Sequence, residues 1–510
     1  MTSSSASSSA STSAPSTSAP SISAPGTSSP SISSPSIEQF GYQQELKRTL
    51  KFSDLIIYGL IFMVPIAPFA IFGSVFQASG GMVPLTYIVA LVAMLLSANS
   101  YAQMAQAFPM AGSVYTYAGR GIGRPVGFIA GWMILLDYVL IPCLLYFAAS
   151  LAMYGIIPQV PVWAWLVAFV LLNTAINYLG ISLTALVNKY MLILELIVLV
   201  IFLIVGIIAV AQGKGRGFSF DSFFNAGTFS LPLVLGAASL AVLSFLGFDG
   251  ISTLAEENAG TSKSLGRSMI AALLLVGVLF VVQTWVASML VTDPAALIKN
   301  GDPAGAAFYL ASETAGGHFM FILTAASTAI AWGFANALVA QAATSRLLYA
   351  MAHDRQLPKF LAKISPKHKV PVNATFVVAG VSLILGIYLT LLPDGLTAIA
   401  TLVNFGALAA FLILNVAVVW HFIVRQKSKR YFVHLVFPAL GFVILLGVLY
   451  NARSSALILG VVWLAIGIVA AIGLYRTGRM TNRSPLEAFA ASESSVDTDT
   501  AADTDNTEVR

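Results

Sequence analysis

Twelve apolar stretches, each long enough to cross a bilayer as a helix, constrain this chain more than any other feature. Their approximate limits are 54 to 77, 83 to 106, 126 to 156, 161 to 180, 187 to 211, 232 to 256, 267 to 292, 318 to 351, 371 to 392, 395 to 424, 431 to 451 and 455 to 476. A hydrocarbon layer about 30 Å thick takes about 20 helical residues. Backbone polar groups in lipid must be satisfied inside the membrane, and these stretches are continuously apolar instead of alternating. Helices are therefore expected and a barrel is not. Composition agrees: 58% of residues are hydrophobic and 9% charged, against about a quarter charged in soluble domains. A single cysteine, Cys143, excludes a disulfide scaffold.

The net charge of +5 would by itself suggest an acidic partner such as nucleic acid, but its distribution argues otherwise. Twenty-two of the 26 Lys and Arg residues fall in alternate loops on the side of the N-terminus, and only Lys214, Arg216, Lys299 and Arg453 on the other. By the positive-inside rule both termini are expected in the cytoplasm, in the inner membrane of the cell, and a missed span would scramble the alternation. Residues 1–45 are rich in Ser, Thr, Ala and Pro and read as a disordered cytoplasmic tail without the basic start and apolar core of a signal peptide. Residues 484–510 hold seven of the 21 acidic residues and read as a second, acidic tail. The membrane-spanning domain is expected at 46–483.

Two spans are interrupted. In the first, Pro65 and Pro68 remove backbone donors from the middle of the helix; in the sixth, Gly247 and Gly250 bracket Asp249. Breaks at corresponding places in two halves point to an all-α membrane protein with a five-plus-five inverted repeat, about 54–211 and 232–424, followed by two extra helices at about 431–476. Kinks that bind nothing are common in membrane helices, and the pairing is what favours a site.

Ionisable residues at membrane depth are expensive and mark function by default. Asp137 lies near the midplane of span three. Asp249 sits in the second break, where it either meets a substrate or caps the freed amides of its own turn. Glu195 is surrounded by aliphatic residues, which favour the neutral form of a carboxyl; it is either a proton carrier or an acid hydrogen-bonded to a neighbouring helix. Glu256 and Glu257 read as surface partners of Lys263 and Arg267. Trp332 and Asn336, at i and i+4, are candidates to line a cavity, and Asn173, Asn177, Gln341, Asn404 and Asn415 read as interhelical bonds. The five histidines lack metal-ligand spacing, and there is no phosphate loop or nucleophile elbow. No enzyme activity, cofactor or metal is expected. The expected partners are a small-molecule substrate, a proton and the lipid bilayer.

Two runs, Phe108-Pro-Met-Ala-Gly112-Ser-Val-Tyr115-Thr-Tyr117 followed by Gly127 to Trp132, and Ser345-Arg346-Leu-Leu-Tyr349 to Pro358, resemble the amino acid, polyamine and organocation transporter superfamily. Leu136-Asp137-Tyr138 and Phe248-Asp249-Gly250 to Glu257 look like its bacterial putrescine-importer group. The resemblance implies alternating access, with substrate held near Met63, Val64, Pro65, Ile66 and Ala67, near Asp137 and Tyr138, and near Phe245, Gly247, Phe248, Asp249 and Gly250. It also implies proton coupling through Glu195, placed by aligning Val187 and Asn188 with the family's fifth helix. Two departures stand out: prolines replace the glycine-rich first break of many amino acid permeases, and Ala70 stands where the putrescine importers carry another acid. The expected activity is import of an amino acid or polyamine by proton symport. An amino acid/amine exchanger and, more remotely, a non-transporting receptor or subunit are the alternatives.

Overall fold

The computed structural model describes residues 48–108, 113–179, 184–255, 257–353, 357–365, 368 and 370–476. Both expected tails, Glu256, the side chains of Val187 and Asn188, and the stretches 109–112 and 354–356 of the two diagnostic runs lie outside the described residues. Among the described residues the chain is helical, and its only β feature is an isolated bridge between Leu50 and Asn258.

The helices are α1 (Phe52–Met63), α2 (Pro68–Ala78), α3 (Val83–Ala107), α4 (Val114–Gly121), α5 (Arg124–Ile156), α6 (Val162–Leu179), α7 (Thr184–Ala211), α8 (Leu231–Ala241), α9 (Ser262–Leu290), α10 (Pro294–Asn300), α11 (Ala307–Gly316), α12 (His318–Ile330), α13 (Ala337–His353), α14 (Val372–Leu389), α15 (Gly395–Val418), α16 (Phe437–Tyr450) and α17 (Ser454–Arg476). Eleven spans are long and apolar enough to cross a membrane, and α1 with α2, bent by 60°, makes the twelfth. Every span expected from sequence has its counterpart. Span six is α8 extended by two 3-10 segments, Val242–Phe245 and Phe248–Leu254. Span eight passes from α12 to α13 through a π turn at Ala331–Asn336, which the sequence does not announce. The two broken spans stand five apart, as a five-plus-five repeat requires.

Between spans of equal hydrophobicity to lipid there is little to gain from burying apolar surface, so close packing of small residues carries much of the cohesion. Gly266 of α9 lies against Ala102 of α3, and Gly277 against Leu91, along one of the most extensive helix interfaces. The 33-residue α5 is the central pillar, packed on α4, α6, α12, α13, α14, α15 and α17. Its Trp132 stacks on Trp463 of α17 at 4.6 Å between ring centres, and each indole N–H donates to the other residue's carbonyl at 2.9 Å. Gly467 leaves room beneath that ring. By contrast, α7 exposes Ile193, Ile197, Val200, Ile204 and Ile208, an apolar flank suited to lipid.

Candidate functional site: a cavity between two broken helices

At the first break the chain leaves α1 through Val64, whose φ of 51° is unusual for a β-branched residue. Such a conformation costs about 1–3 kcal/mol and persists only where surroundings enforce it. The enforcement is visible: Val64 donates to Leu60 O at 3.0 Å, Ala67 donates to Val64 O at 2.8 Å, and the fully buried Gln283 of α9 donates through Nε2 to Pro65 O at 3.0 Å. Without Gln283 that carbonyl, freed by the break, would face a dry interior. The second break falls at Leu246 and Gly247. Gly247 has φ 108°, and a Cβ there would stand 2.9 Å from Phe62 Cβ, so a side chain is excluded twice over. The two breaks thus touch through Phe62 and Gly247.

Between them lies a narrow cavity of about 60 Å³. It is lined by Phe62, Met63, Val64 and Ala67 of the first span, Asp137, Tyr138, Ile141, Leu144 and Leu145 of α5, Leu243, Leu246, Gly247 and Asp249 of span six, and Trp332, Asn336, Ala340, Ala343 and Thr344 of span eight. Nine of the sequence-expected binding residues meet here: Met63, Val64, Ala67, Asp137, Tyr138, Gly247, Asp249, Trp332 and Asn336. Pro65, Ile66, Phe245, Phe248 and Gly250 are not in the lining. Phe245 packs between Tyr87 and Phe280, and Phe248 between Tyr101 and Phe411, where they wedge the break from behind.

The two cavity carboxylates differ. Backbone amides of Gly247, Asp249 and Gly250 are directed at the Asp249 carboxyl, which caps the start of the 3-10 segment. Asp137, buried and near enough to feel the charge of Asp249, has an Oδ1 with no hydrogen-bond partner. Trp332 Nε1 is likewise buried and unpartnered. Among the described residues no Lys or Arg lines the cavity, so its charge complement is a cation.

The π turn that carries Trp332 is tied from α6: Asn173 Nδ2 donates to Gly333 O and to Phe169 O, both at 2.8 Å. One turn on, Asn177 Nδ2 donates to Gln341 Oε1 at 2.9 Å, and Gln341 Nε2 donates to Thr174 Oγ1 at 2.9 Å. On α5, Tyr138 O accepts from Thr344 Oγ1 at 2.6 Å. Asn404 donates to Ser239 O at 2.6 Å, Asn415 Oδ1 accepts from Ser100 at 2.6 Å, and these amides act as the interhelical bonds expected of them. Glu195 stands apart from the cavity lining on α7, buried, with Oε2 unpartnered.

A second cavity of about 270 Å³ is lined by Ser74, Gln77 and Ala78 of α2, Pro232 to Leu240 positions of α8, Thr397 and Thr401 of α15, and Asn451 and Arg453 between α16 and α17. An even number of spans separates α1 from the end of α17, so the turn at 451–453 lies on the membrane face opposite both ends of the described chain. Leu240 lines this cavity and Leu243 the first, three residues on. The two cavities therefore lie end to end along span six. Ser74 and Thr397 bond across the second at 2.9 Å, and Arg453 pairs with Asp394 at 3.5 Å.

A mid-membrane cavity closed by two discontinuous helices, with a second cavity behind it, defines a secondary transporter of the permease class. Residues 53–485 match the amino acid permease family, and the chain belongs to that family within the amino acid, polyamine and organocation superfamily. Among its relatives, the low-affinity putrescine importer PlaP of Escherichia coli strain K12 is 31% identical over 432 residues, covering 83% of this chain and 93% of PlaP. The branched-chain amino acid permease BcaP of Bacillus subtilis strain 168 is 30% identical over 453 residues, 84% of this chain and 93% of that one. The methylthioribose transporter of the same organism is 26% identical over 455 residues, 83% and 92% of the two chains.

Proposed function

We propose that this protein imports an amine-bearing solute, an amino acid or a polyamine, by proton symport and alternating access, with both termini in the cytoplasm. The observation that carries the reading is a cavity between two broken helices lined by Asp137 and Asp249 and, among the described residues, by no Lys or Arg; Asp137 Oδ1 also lacks a hydrogen-bond partner. A substrate ammonium would supply the missing partner and offset the repulsion between Asp137 and Asp249. The relatives named for putrescine and branched-chain amino acids bracket the solute class. Glu195 is the proton carrier: it is buried among aliphatic groups and separate from the cavity, so proton and solute need not compete for one site.

The test is uptake of labelled amino acids and polyamines into proteoliposomes, with and without an imposed pH gradient. Uptake by the parent is expected to be driven by acid outside. Glu195→Gln is expected to abolish gradient-driven accumulation while leaving counterflow intact. Normal accumulation in that variant would remove Glu195 from the coupling mechanism, and counterflow in the parent without response to the gradient would mark an exchanger.

A further inference from the structure

The loop between α7 and α8, residues 212–230, carries five phenylalanines and, with five spans before it, stands on the membrane face opposite the chain ends. Phe218, Phe220 and Phe223 pack around Trp285 of α9 with ring centres 5.5, 5.1 and 5.5 Å away, and Trp285 Nε1 donates to Ser219 O at 2.9 Å. Trp285 lies eleven residues after Leu274 and seven after Val278, which sets the three within about 20° of one another on α9. Leu274 and Val278 are exposed, so that face is turned to lipid. The loop therefore folds down over the lipid flank of α9, where Phe218 and Phe220 stay more than half exposed. Depth follows from length. The 29 residues of α9 make about 43 Å of helix, which overhangs a hydrocarbon layer of about 30 Å by roughly 6–7 Å at each end. Trp285 is five residues, about 7.5 Å, short of the end at Leu290, and so lies where acyl chains meet headgroups, the depth aromatic rings favour. Arg216 N donates to Met289 O at 2.8 Å, about one turn further out, among the headgroups.

Rings at the acyl boundary with a guanidinium one turn above them repeat the order of a phospholipid, chains below and phosphate above. We infer that this loop binds an anionic phospholipid of that leaflet, its acyl chains against Phe218 and Phe220 and its phosphate on Arg216. Charge agrees: the loop holds two cations, Lys214 and Arg216, against one carboxylate, Asp221. Lys214 Nζ is held by Ala315 O at 3.0 Å and contributes its charge from there. Arg216 meets Asp221 only at 4.0 Å, and the Asp221 side chain is 63% exposed. A loose surface pair of that kind is worth little, and the fork of a guanidinium suits a phosphate. The loop continues through Ser230, whose hydroxyl accepts from Leu233 N at 3.3 Å and caps α8. A lipid held here is thus one short connection from the half of span six that leads to the second break.

The experiment uses the full chain in vesicles, with Cys143, its single cysteine, replaced by alanine. A bimane label is placed at Phe218→Cys, where the remaining rings keep their hold on Trp285, and in a second variant at Phe220→Cys. Lys299→Cys, exposed on α10, which packs on α2, is the control on the same face. The quenchers are phosphatidylcholine and phosphatidylglycerol brominated near the headgroup end of their chains, and iodide in the water. Labels at the two phenylalanine positions are expected to be quenched by the brominated lipids and shielded from iodide, and the label at the lysine position the reverse. In competition, phosphatidylglycerol is expected to hold the site about fivefold more tightly than phosphatidylcholine, the size of one cation at a membrane surface. Arg216→Gln is expected to remove that preference and Asp221→Asn to increase it, opposite effects that a merely structural role for the pair would not produce. Labels at both phenylalanine positions that iodide quenches and the lipids do not would refute the site and mark the rings as a surface for a partner protein. Equal affinity for the two lipids in the parent, or a preference that survives Arg216→Gln, would overturn the assignment of the phosphate to Arg216.

Discussion

Replacing Gly406 of α15 by alanine would set a methyl carbon against the backbone of α5 at the level of Asp137. That carbon would stand 2.7 Å from Met133 O, 2.9 Å from Asp137 N and 3.1 Å from Leu136 Cβ. Comfortable contacts are about 3.5 Å or longer, so the helices must part by roughly 0.5–1 Å. The two nearest atoms are backbone, and no side-chain rotation relieves them. Overpacking of this kind costs about 1–3 kcal/mol, and the better helix propensity of alanine returns at most about 1 kcal/mol. The expected net loss is thus about 1 kcal/mol, with Asp137 displaced along with its amide. Gly380 of α14 is the matched control, because a Cβ there meets nothing within 4 Å. Thermal unfolding in detergent, together with uptake kinetics, separates the two. Gly406→Ala is expected to melt lower and to raise KM about tenfold or more, since a displacement of about 1 Å in a binding group can cost about a hundredfold. Gly380→Ala is expected to melt at or above the parent with KM unchanged. Identical behaviour of the two variants would refute the account of how α15 positions Asp137.

Two further outcomes are expected. Gln283→Leu leaves Pro65 O unpartnered in a dry site, a penalty of about 1–3 kcal/mol, partly offset by loss of the unpaired Gln283 Oε1; a raised KM in a protein of near-parental melting temperature is the expected signature, and parental kinetics would show that Gln283 does not hold the break. Asp302, in the loop between α10 and α11, packs against Gly73 of α2 and accepts from the amides of Ala306 and Ala307 at 2.9 and 3.0 Å. Burial pushes its carboxyl above the ordinary range, and those amides pull it partway back. A raised folded pKa means that the docked loop binds the proton more tightly than the undocked one. Its stability is then greatest at acid pH and declines as pH rises through the raised value. Hydrogen exchange of residues 300–307, corrected for intrinsic rates, should be slower at about pH 4, near the ordinary carboxylate value, than at about pH 8; equal protection would refute it.

The spans were legible because lipid imposes a length and a composition on every helix, and the first break because Pro65 and Pro68 cannot be hidden inside one. That Val64 would take a positive φ was not legible, since it depends on Gln283 and the neighbouring turns acting together. Gln283 itself has a signal, a lone amide in the apolar run Val281-Val-Gln283-Thr-Trp285, but a neutral amide in a membrane span is more often an interhelical bond than a mark of a break. The π turn at Ala331–Asn336 carries no proline, and only the carbonyl it offers to Asn173 reveals it. At Asp249 the amides of Gly247 and Gly250 are a property of the folded turn, and the sequence shows only the two glycines that permit it. Gly406 reads from sequence as one more small residue; its closeness to Asp137 is a property of two helices 269 positions apart.

The end-to-end placement of the two cavities fixes what limits the flux. With Leu240 in the lining of one and Leu243 in that of the other, the two cavities are neighbours along span six, a short distance apart. Free diffusion over that distance is fast, whereas the rearrangement of packed helices that transfers access from one side to the other takes about microseconds to milliseconds or longer. Throughput is therefore counted in cycles, saturates with concentration, and stays many orders below that of an open pore. A bilayer dense with this protein keeps its electrical resistance while cargo crosses it one molecule at a time.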